Sequence, residues 1–422
     1  MITDKDLESW GESRTPERGD AWESLLLEID ARISLSVTQY AGLASRYEAV
    51  GSILENPQDP ALGELLVFPQ GSFRTRTVTR PPGRADVDVD AIAYVKGGTQ
   101  LHPMELLDSL FEELHARVRT GGTVKPKKRC VTIQYEDKQL PCHMDITPAE
   151  RIQGNTNDDG SGRLRVPDRP TRGWSPSNPK DYAAWFERIA SLDVSVSIPE
   201  GYRLLVSTRA ETESLPTHEE IIAPDTLRTG VRLFKRHRDV YVARTGQGDN
   251  KPISVIITTL AATAFERVAA RRHGQTMTPI EIFSAIVSEM PKCFDEARPG
   301  EQYRVLNPAD KSENFAEKWN HNPSLSKAFF GWQQQLERTL RYGYVNFPSR
   351  ERFRNELSEV FGTSAGVACD DYFDQIRSGE YPGLSAAAAN TARIAGRSAA
   401  LVGLSRNEPT SESKPKSLNR LG

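Results

Sequence analysis

Gln70-Gly71-Ser72, the pair Asp88 and Asp90, and Asp145 have the types and order that phosphoryl chemistry needs. A Gly-Ser turn after a strand presents backbone N–H groups and a hydroxyl to phosphate oxygens. Carboxylates two positions apart on a strand project from one face. Three acidic groups meeting on neighbouring strands form an oxygen-rich pocket suited to Mg²⁺, which prefers hard oxygen ligands and keeps positions open for water and phosphate. Two such ions can activate a sugar hydroxyl, hold an α-phosphate and stabilise departing pyrophosphate. Each piece alone has a plain reading, a turn or a solvated strand end, because short motifs match by chance. Their ordered combination is far more specific. Asp86 shares the face of Asp88 and Asp90, so either neighbouring pair could hold metal. Asp88 and Asp90 are favoured because Ala91-Ile92-Ala93-Tyr94-Val95 follows directly, which puts Asp86 in the loop or behind the ligands.

The elements that must position these groups are legible in the pattern. Leu65-Leu66-Val67-Phe68 reads as a strand broken by Pro69-Gln70-Gly71-Ser72, and an Arg-rich loop with Arg74, Arg76, Arg80 and Arg84 follows. Val87 to Val95 reads as a strand that starts polar and turns apolar. Arg129 to Tyr135 and Leu140 to Ile146 read as two strands about the turn Glu136 to Gln139. Upstream, apolar residues from Trp22 to Tyr47 recur at helical steps and predict one long amphipathic helix over Trp22 to Val50. Pro103 to Val118 reads as a helix, and residues 151–175 as a long irregular connection. Beyond Asn178 the pattern is helical over Tyr182–Leu192, Thr226–Tyr241, Ile253–Arg271, Pro279–Met290, Ser324–Leu340 and Arg350–Phe361. The expected organisation is α+β: an N-terminal segment (1–21), a sheet lobe with the long helix (22–175), an α-helical lobe (176–384) and a flexible tail (385–422). The cleft between the lobes would hold the site.

Composition narrows the function. With 54 basic against 57 acidic residues the net charge is -3, which speaks against duplex nucleic acid as the main partner but not against small phosphate ligands. Four cysteines without a CxxC pair argue against a zinc ribbon and fit a reducing cytoplasm. Cys130 and Cys142 could face each other across the hairpin. No apolar run reaches membrane-spanning length, and the N-terminus is not a signal peptide. His143 would share the face of Asp145 and could line the site; His237 could join an ion network beside Arg238 and Asp239; Arg76 and Arg80 could hold phosphate or be solvated.

The segment Phe68-Pro-Gln-Gly-Ser-Phe-Arg-Thr-Arg-Thr77 with Asp88-Val-Asp90 resembles the polymerase-β-type nucleotidyltransferase superfamily, and within it the bacterial cyclic GMP–AMP synthase/DncV-like nucleotidyltransferases, or CD-NTases. Cys142-His-Met-Asp-Ile-Thr-Pro148 is similar to the third-aspartate strand of that family. Trp174 to Phe186, Leu233-Phe-Lys-Arg-His-Arg-Asp239, Lys251-Pro-Ile-Ser-Val-Ile-Ile-Thr-Thr-Leu260, and Asn307-Pro with Glu313 to Trp319 extend the likeness over roughly residues 20–375. The resemblance implies a two-lobed fold. Asp88, Asp90 and Asp145 would bind metal, two Mg²⁺ ions with Mn²⁺ as an alternative. Gln70, Gly71 and Ser72 would border the nucleotide, and Lys235 and Ser254 would bind the donor's phosphates. Without it, Lys235 reads as an exposed helix lysine and Ser254 as a helix N-cap.

The implied activity joins nucleoside triphosphates, ATP expected among them, into a cyclic di- or trinucleotide second messenger with release of pyrophosphate, in antiphage (antiviral) signalling. Asp145 would help activate the attacking hydroxyl, so no histidine base is required. The competing readings are a template-independent polymerase, a small-molecule- or protein-modifying nucleotidyltransferase, and a non-catalytic RNA-binding module, which the charge disfavours. The tail is expected to be disordered and ends on Gly422, which invites comparison with relatives coupled through their C-terminus; an ordinary tail is the simpler reading. An activating or C-terminus-conjugating protein partner is thus conceivable, and neither duplex nucleic acid nor membrane is required.

Overall fold

The computed structural model describes residues 16–83, 86–118, 121–137, 141–192, 194, 215–222, 225–272, 275–341 and 349–378. Arg84, the 136–139 turn from Lys138 onward, the alanine run at 386–389 and the tail to Gly422 lie outside them. The architecture is α+β, as expected. Strands β1 (Leu65–Pro69), β2 (Val87–Val95), β3 (Gly122–Pro126), β4 (Val131–Tyr135), β5 (Cys142–Thr156), β6 (Gly162–Asp168) and β7 (Gly173–Ser177) form a mixed sheet ordered β1-β2-β5-β4-β3, with β6 joining β5 to β7. Only the central β2–β5 pair of this sheet is parallel.

Strict alternation along β2 explains how a buried strand carries carboxylates. Val87, Val89, Ala91, Ala93 and Val95 enter the main core of the sheet lobe. The opposite face begins with Asp88 and Asp90 and continues with Ile92 and Tyr94, which pack with Phe68, Ala149, Leu164 and Val166 in a smaller core. The β6–β7 hairpin supplies Leu164 and Val166 and so covers the apolar half of this face. The irregular connection expected over 151–175 is therefore wrong. That stretch continues β5 and forms β6 and β7, its Asn, Gly and Arg residues occupying turns and the partly exposed face.

The single helix expected over 22–50 is also corrected. It is two helices, α1 (Pro16–Ile33) and α2 (Val37–Glu55), with Gly51 inside the second. Ser36 caps α2 by accepting from the Gln39 N–H, and the Gln39 side chain accepts from the Ser36 N–H. Such a capping box starts a helix wherever the tertiary fold lets the chain turn. Trp22, Leu25, Leu26, Ile29 and Ile33 belong to the core of the C-terminal helices, whereas Leu43, Tyr47, Val50 and Leu54 belong to the sheet core. Helical periodicity runs on across Ser34–Ser36, so it could not reveal that the two halves serve different cores.

The remaining helices are the single turn α3 (Gly71–Arg74), α4 (Pro103–Arg117), α5 (Pro179–Ala190), α6 (His218–Ile222), α7 (Thr226–Thr245), α8 (Ser254–Arg271), α9 (Pro279–Glu289), α10 (Pro323–Leu340), α11 (Arg350–Phe361) and α12 (Thr363–Ser378). A short hairpin, Leu306–Asn307 with Asp310–Asn314, sits among them. Helix α7 is central to the second lobe: Val231, Leu233 and Phe234 are fully buried there. Its Arg232, 1% exposed, makes a bidentate pair with Asp30 of α1, Nε to Oδ1 at 2.8 Å and Nη2 to Oδ2 at 2.6 Å. Among the described residues no helix is long and apolar enough to cross a membrane.

Removing one member of a buried pair strands the other charge, which costs about 3–5 kcal/mol. Asp30→Asn is expected to destabilise the protein by that order in urea unfolding. A loss below about 1 kcal/mol, the range of exposed pairs, would contradict the structural weight given to this bond.

Candidate active site

The register of the sheet brings the acidic residues together. Asp88 lies opposite His143, and Asp90 opposite Asp145, across the parallel β2–β5 pair. Asp145 in turn lies opposite Thr132 of β4, whose hydroxyl donates to its Oδ1. Asp88, His143 and Asp145 offer ligand atoms within 4.8 Å of one another. His143 Nε2 is 3.2 Å from Asp88 Oδ1, and its Nδ1 is 3.8 Å from Asp86 Oδ2. Asp86 stands just before β2 and accepts from Gln134 Nε2 at 2.6 Å. It thus touches groups at the rim of the cluster. Neighbouring carboxylates hold the His143 imidazole above its ordinary pKa, led by the bond to Asp88. Asp90 is raised as well, from 3.8 to about 8, first by burial and then by the charges of Asp88 and Asp145. Carboxylates that repel each other to this degree fit a divalent cation, which reverses the penalty.

The Gly-Ser turn is built against Asp90. Gly71 has φ +61°, and a Cβ placed there would stand 2.3 Å from Asp90 Oδ2. Position 71 therefore needs glycine twice, for a left-handed backbone and for close approach. The Gln70 N–H donates to the Asp90 carbonyl at 3.0 Å, so Gln70 ties the turn to β2 by its backbone. Gly71 and Ser72 border a cavity of about 540 Å³ together with Asp88 and Asp90.

Helix α7 holds the loop that follows. Arg228 donates to the Thr75 carbonyl, Arg232 to Arg76, Lys235 to Thr77 at 2.8 Å and Arg236 to Arg80 at 2.6 Å. Positions 228, 232, 235 and 236 recur at helical steps, so one face of α7 grips successive carbonyls of the loop. The reading of Lys235 as an exposed lysine is wrong: it is buried and lines the cavity. Burial, then Arg238, lowers its pKa to about 8. Ser254 is not an N-cap. Ile253 occupies that position, and Ser254 opens α8 with its hydroxyl accepting from Arg238 Nη1 at 2.9 Å. It faces the same cavity.

Other expected candidates fall away from the cleft. Arg76 pairs with Glu187, and Arg80 donates to the Arg32 carbonyl. Among the described residues His237 joins no ion pair; it is buried against Phe361 and bonded to Thr339, and burial lowers its pKa to about 3. Cys130 and Cys142 do not face each other, because Tyr135 is opposite Cys142 and Val131 opposite Ile146; all four cysteines are free. Sequence reasoning missed Arg238, Asp239 and Lys251, which border the cavity, and Thr132 and Gln134, which brace Asp145 and Asp86. The strand alternation of Thr132 and Gln134 with the acidic face was the available signal.

Residues 23–189 match the Second Messenger Oligonucleotide or Dinucleotide Synthetase domain. A c-di-GMP synthase of Roseivirga ehrenbergii is 27% identical over 316 residues, spanning 74% of this chain and 77% of that protein. The cyclic dinucleotide synthase CdnG of Bradyrhizobium diazoefficiens is 27% identical over 312 residues, spanning 71% and 70%. The solved structure of the Bradyrhizobium diazoefficiens CD-NTase CdnG in complex with GTP shares the fold, with a TM-score of 0.65 over 84% of this chain and 100% of that one at 23% identity.

Two measurements check this geometry. Without divalent cation, Asp90 keeps a proton in the folded state that the unfolded chain has lost. The folded state then binds more protons between about 4 and 8, so this group makes stability fall as pH rises through that window. In EDTA, wild type is expected to show that slope and Asp90→Asn to lose it; equal slopes would contradict the assignment. Gly71→Ala is expected to lower both the melting temperature and nucleotide affinity. A variant neutral in both would refute the close contact with Asp90.

Proposed function

We propose that this chain is a bacterial CD-NTase of the polymerase-β-type nucleotidyltransferase superfamily, and that it joins two nucleoside triphosphates into a cyclic dinucleotide and releases pyrophosphate; the domain match over 23–189 and the two cyclic-dinucleotide-synthase relatives support this reading. The observation that carries this reading is one cavity bordered by carboxylates, Asp88 and Asp90, and by the cationic and hydroxyl side chains of Lys235 and Ser254. The raised pKa of Asp90 and the lowered pKa of Lys235 are the shifts that a cation on the carboxylates and a polyphosphate against Lys235 would reverse. The names of the relatives support guanine nucleotides among the substrates. Product release as a second messenger, in antiphage signalling, completes the proposal. The proposed division is a nucleotidyltransferase lobe over 22–175 and an α-helical lobe over 176–384, with Trp22 to Ile33 packing on the core of the helical lobe and Leu215 and Ile221 on that of the sheet.

In this mechanism Ser72 and the turn N–H groups border the donor triphosphate, Lys235 offsets its charge, and Ser254 adds a hydrogen bond. Asp88, Asp90 and Asp145 would hold Mg²⁺, with His143 beside them. When bound, the metal supplies charge neutralisation on the phosphates and acidifies the attacking hydroxyl. Asp145, which accepts from the Thr132 hydroxyl, would take that hydroxyl's proton. The acceptor oxygen then forms a bond to the α-phosphorus as the bond to the departing pyrophosphate breaks. A second displacement of the same kind closes the ring.

The test is product analysis. Purified protein is incubated with Mg²⁺ and all four nucleoside triphosphates, treated with phosphatase and examined by mass spectrometry beside Asp88→Asn/Asp90→Asn. A phosphatase-resistant cyclic dinucleotide absent from the variant is expected. Linear or polymeric products would instead make the chain a template-independent transferase.

A further inference from the structure

Asp239 sits one residue beyond Arg238 on α7, and Lys251 reaches it from the segment before α8. All three border the cavity with Lys235. Both cations bind the same carboxylate oxygen, Lys251 Nζ at 2.7 Å and Arg238 Nε at 2.9 Å from Asp239 Oδ1. They differ in how they are held. The Arg238 side chain is 4% exposed and is also fixed to the Pro252 carbonyl at 3.0 Å and to Ser254 Oγ. Lys251 is 45% exposed at the lip of the cleft. Asp239, at 13%, would have its carboxyl raised by burial alone, but Arg238 and Lys251 hold it below its ordinary value. A long lysine on a single oxygen is the easier of the two to release, because its stem rotates and its ammonium has three donors.

We propose that Asp239 is an internal counter-anion for the polyphosphate end of the cleft: it parks Lys251 in the nucleotide-free protein and yields it to the terminal phosphates of a bound nucleoside triphosphate. Arg238 stays on Asp239 and keeps Ser254 in place, so releasing Lys251 leaves no buried charge without a partner. The arrangement makes Lys251 a binding residue and Asp239 a competitor of the ligand. A plain brace between α7 and the α8 approach predicts something else, that loss of either residue costs stability alone. This inference rests on the nucleotide reading above.

The experiment is calorimetric titration, in Mg²⁺, with a non-hydrolysable GTP analogue and separately with GMP, which lacks the two outer phosphates. Lys251→Met is expected to weaken the triphosphate by about tenfold, the scale of one charged hydrogen bond, and to leave GMP unchanged. Lys251→Arg is expected to restore much of the loss, and Asp239→Asn to tighten the triphosphate several-fold with GMP unchanged. Lys251→Met that leaves triphosphate binding intact, or weakens both ligands equally, overturns the inference; so does Asp239→Asn that folds but weakens the triphosphate. Since Lys251 is half exposed, its variants report even where Asp239→Asn does not fold. A wild type that binds neither ligand would overturn the nucleotide reading and this inference with it, whereas triphosphate binding indifferent to position 251 overturns this inference alone.

Discussion

The cleft depends on four backbone carbonyls. Those of Thr75, Arg76, Thr77 and Arg80 are each held by a cationic side chain from one face of α7. The loop they belong to follows the Gly71-Ser72 turn and precedes β2, so fixing it sets the turn relative to the carboxylates and sets both relative to the helices. A carbonyl satisfies a buried cation's hydrogen bonds without cancelling its charge. Carboxylate partners would have locked the loop equally well and neutralised the wall that faces the cavity. Carboxylates enter beside this grip: Asp30 pairs with Arg232 and ties α7 to α1, and Asp239 pairs with Arg238 and Lys251 at the border of the cavity.

The opposite wall follows the same economy in reverse sign. The alternation of β2 puts Asp88 and Asp90 on the face that Ile92 and Tyr94 occupy two and four residues later. The β6–β7 hairpin covers the apolar part and leaves the acidic part in the cleft. Close packing of Gly71 on Asp90 then removes water from one carboxylate while its neighbours charge the site. The protein thereby spends folding stability to hold like charges together, an arrangement that a bound cation would repay.

Sequence alone located the acidic cluster and its turn better than it located the surrounding elements. Gly71, Ser72, Asp88, Asp90 and Asp145 are recognisable because turn chemistry and strand alternation act locally, and these rules group them as the fold does. Lys235 and Ser254 came only from family likeness. The run Lys235-Arg-His-Arg238 looks like a solvated helix face, and nothing within α7 reveals that a loop more than 150 residues earlier would bury it. The same limit hid the helix break at Ser34–Ser36, where periodicity persists while the core it serves changes, and the strands of 151–177, whose turn-rich composition outweighed their pairing with β5. Contacts distant in the chain decided each of these.

A crystal structure with Mg²⁺ and a non-hydrolysable guanosine triphosphate tests the central claim most directly. The triphosphate is expected between Ser72 and Lys235, metal on Asp88, Asp90 and Asp145, and the four α7-to-carbonyl bonds retained. Nucleotide bound elsewhere, or bound in the cleft with the 75–80 loop released from α7, would contradict it.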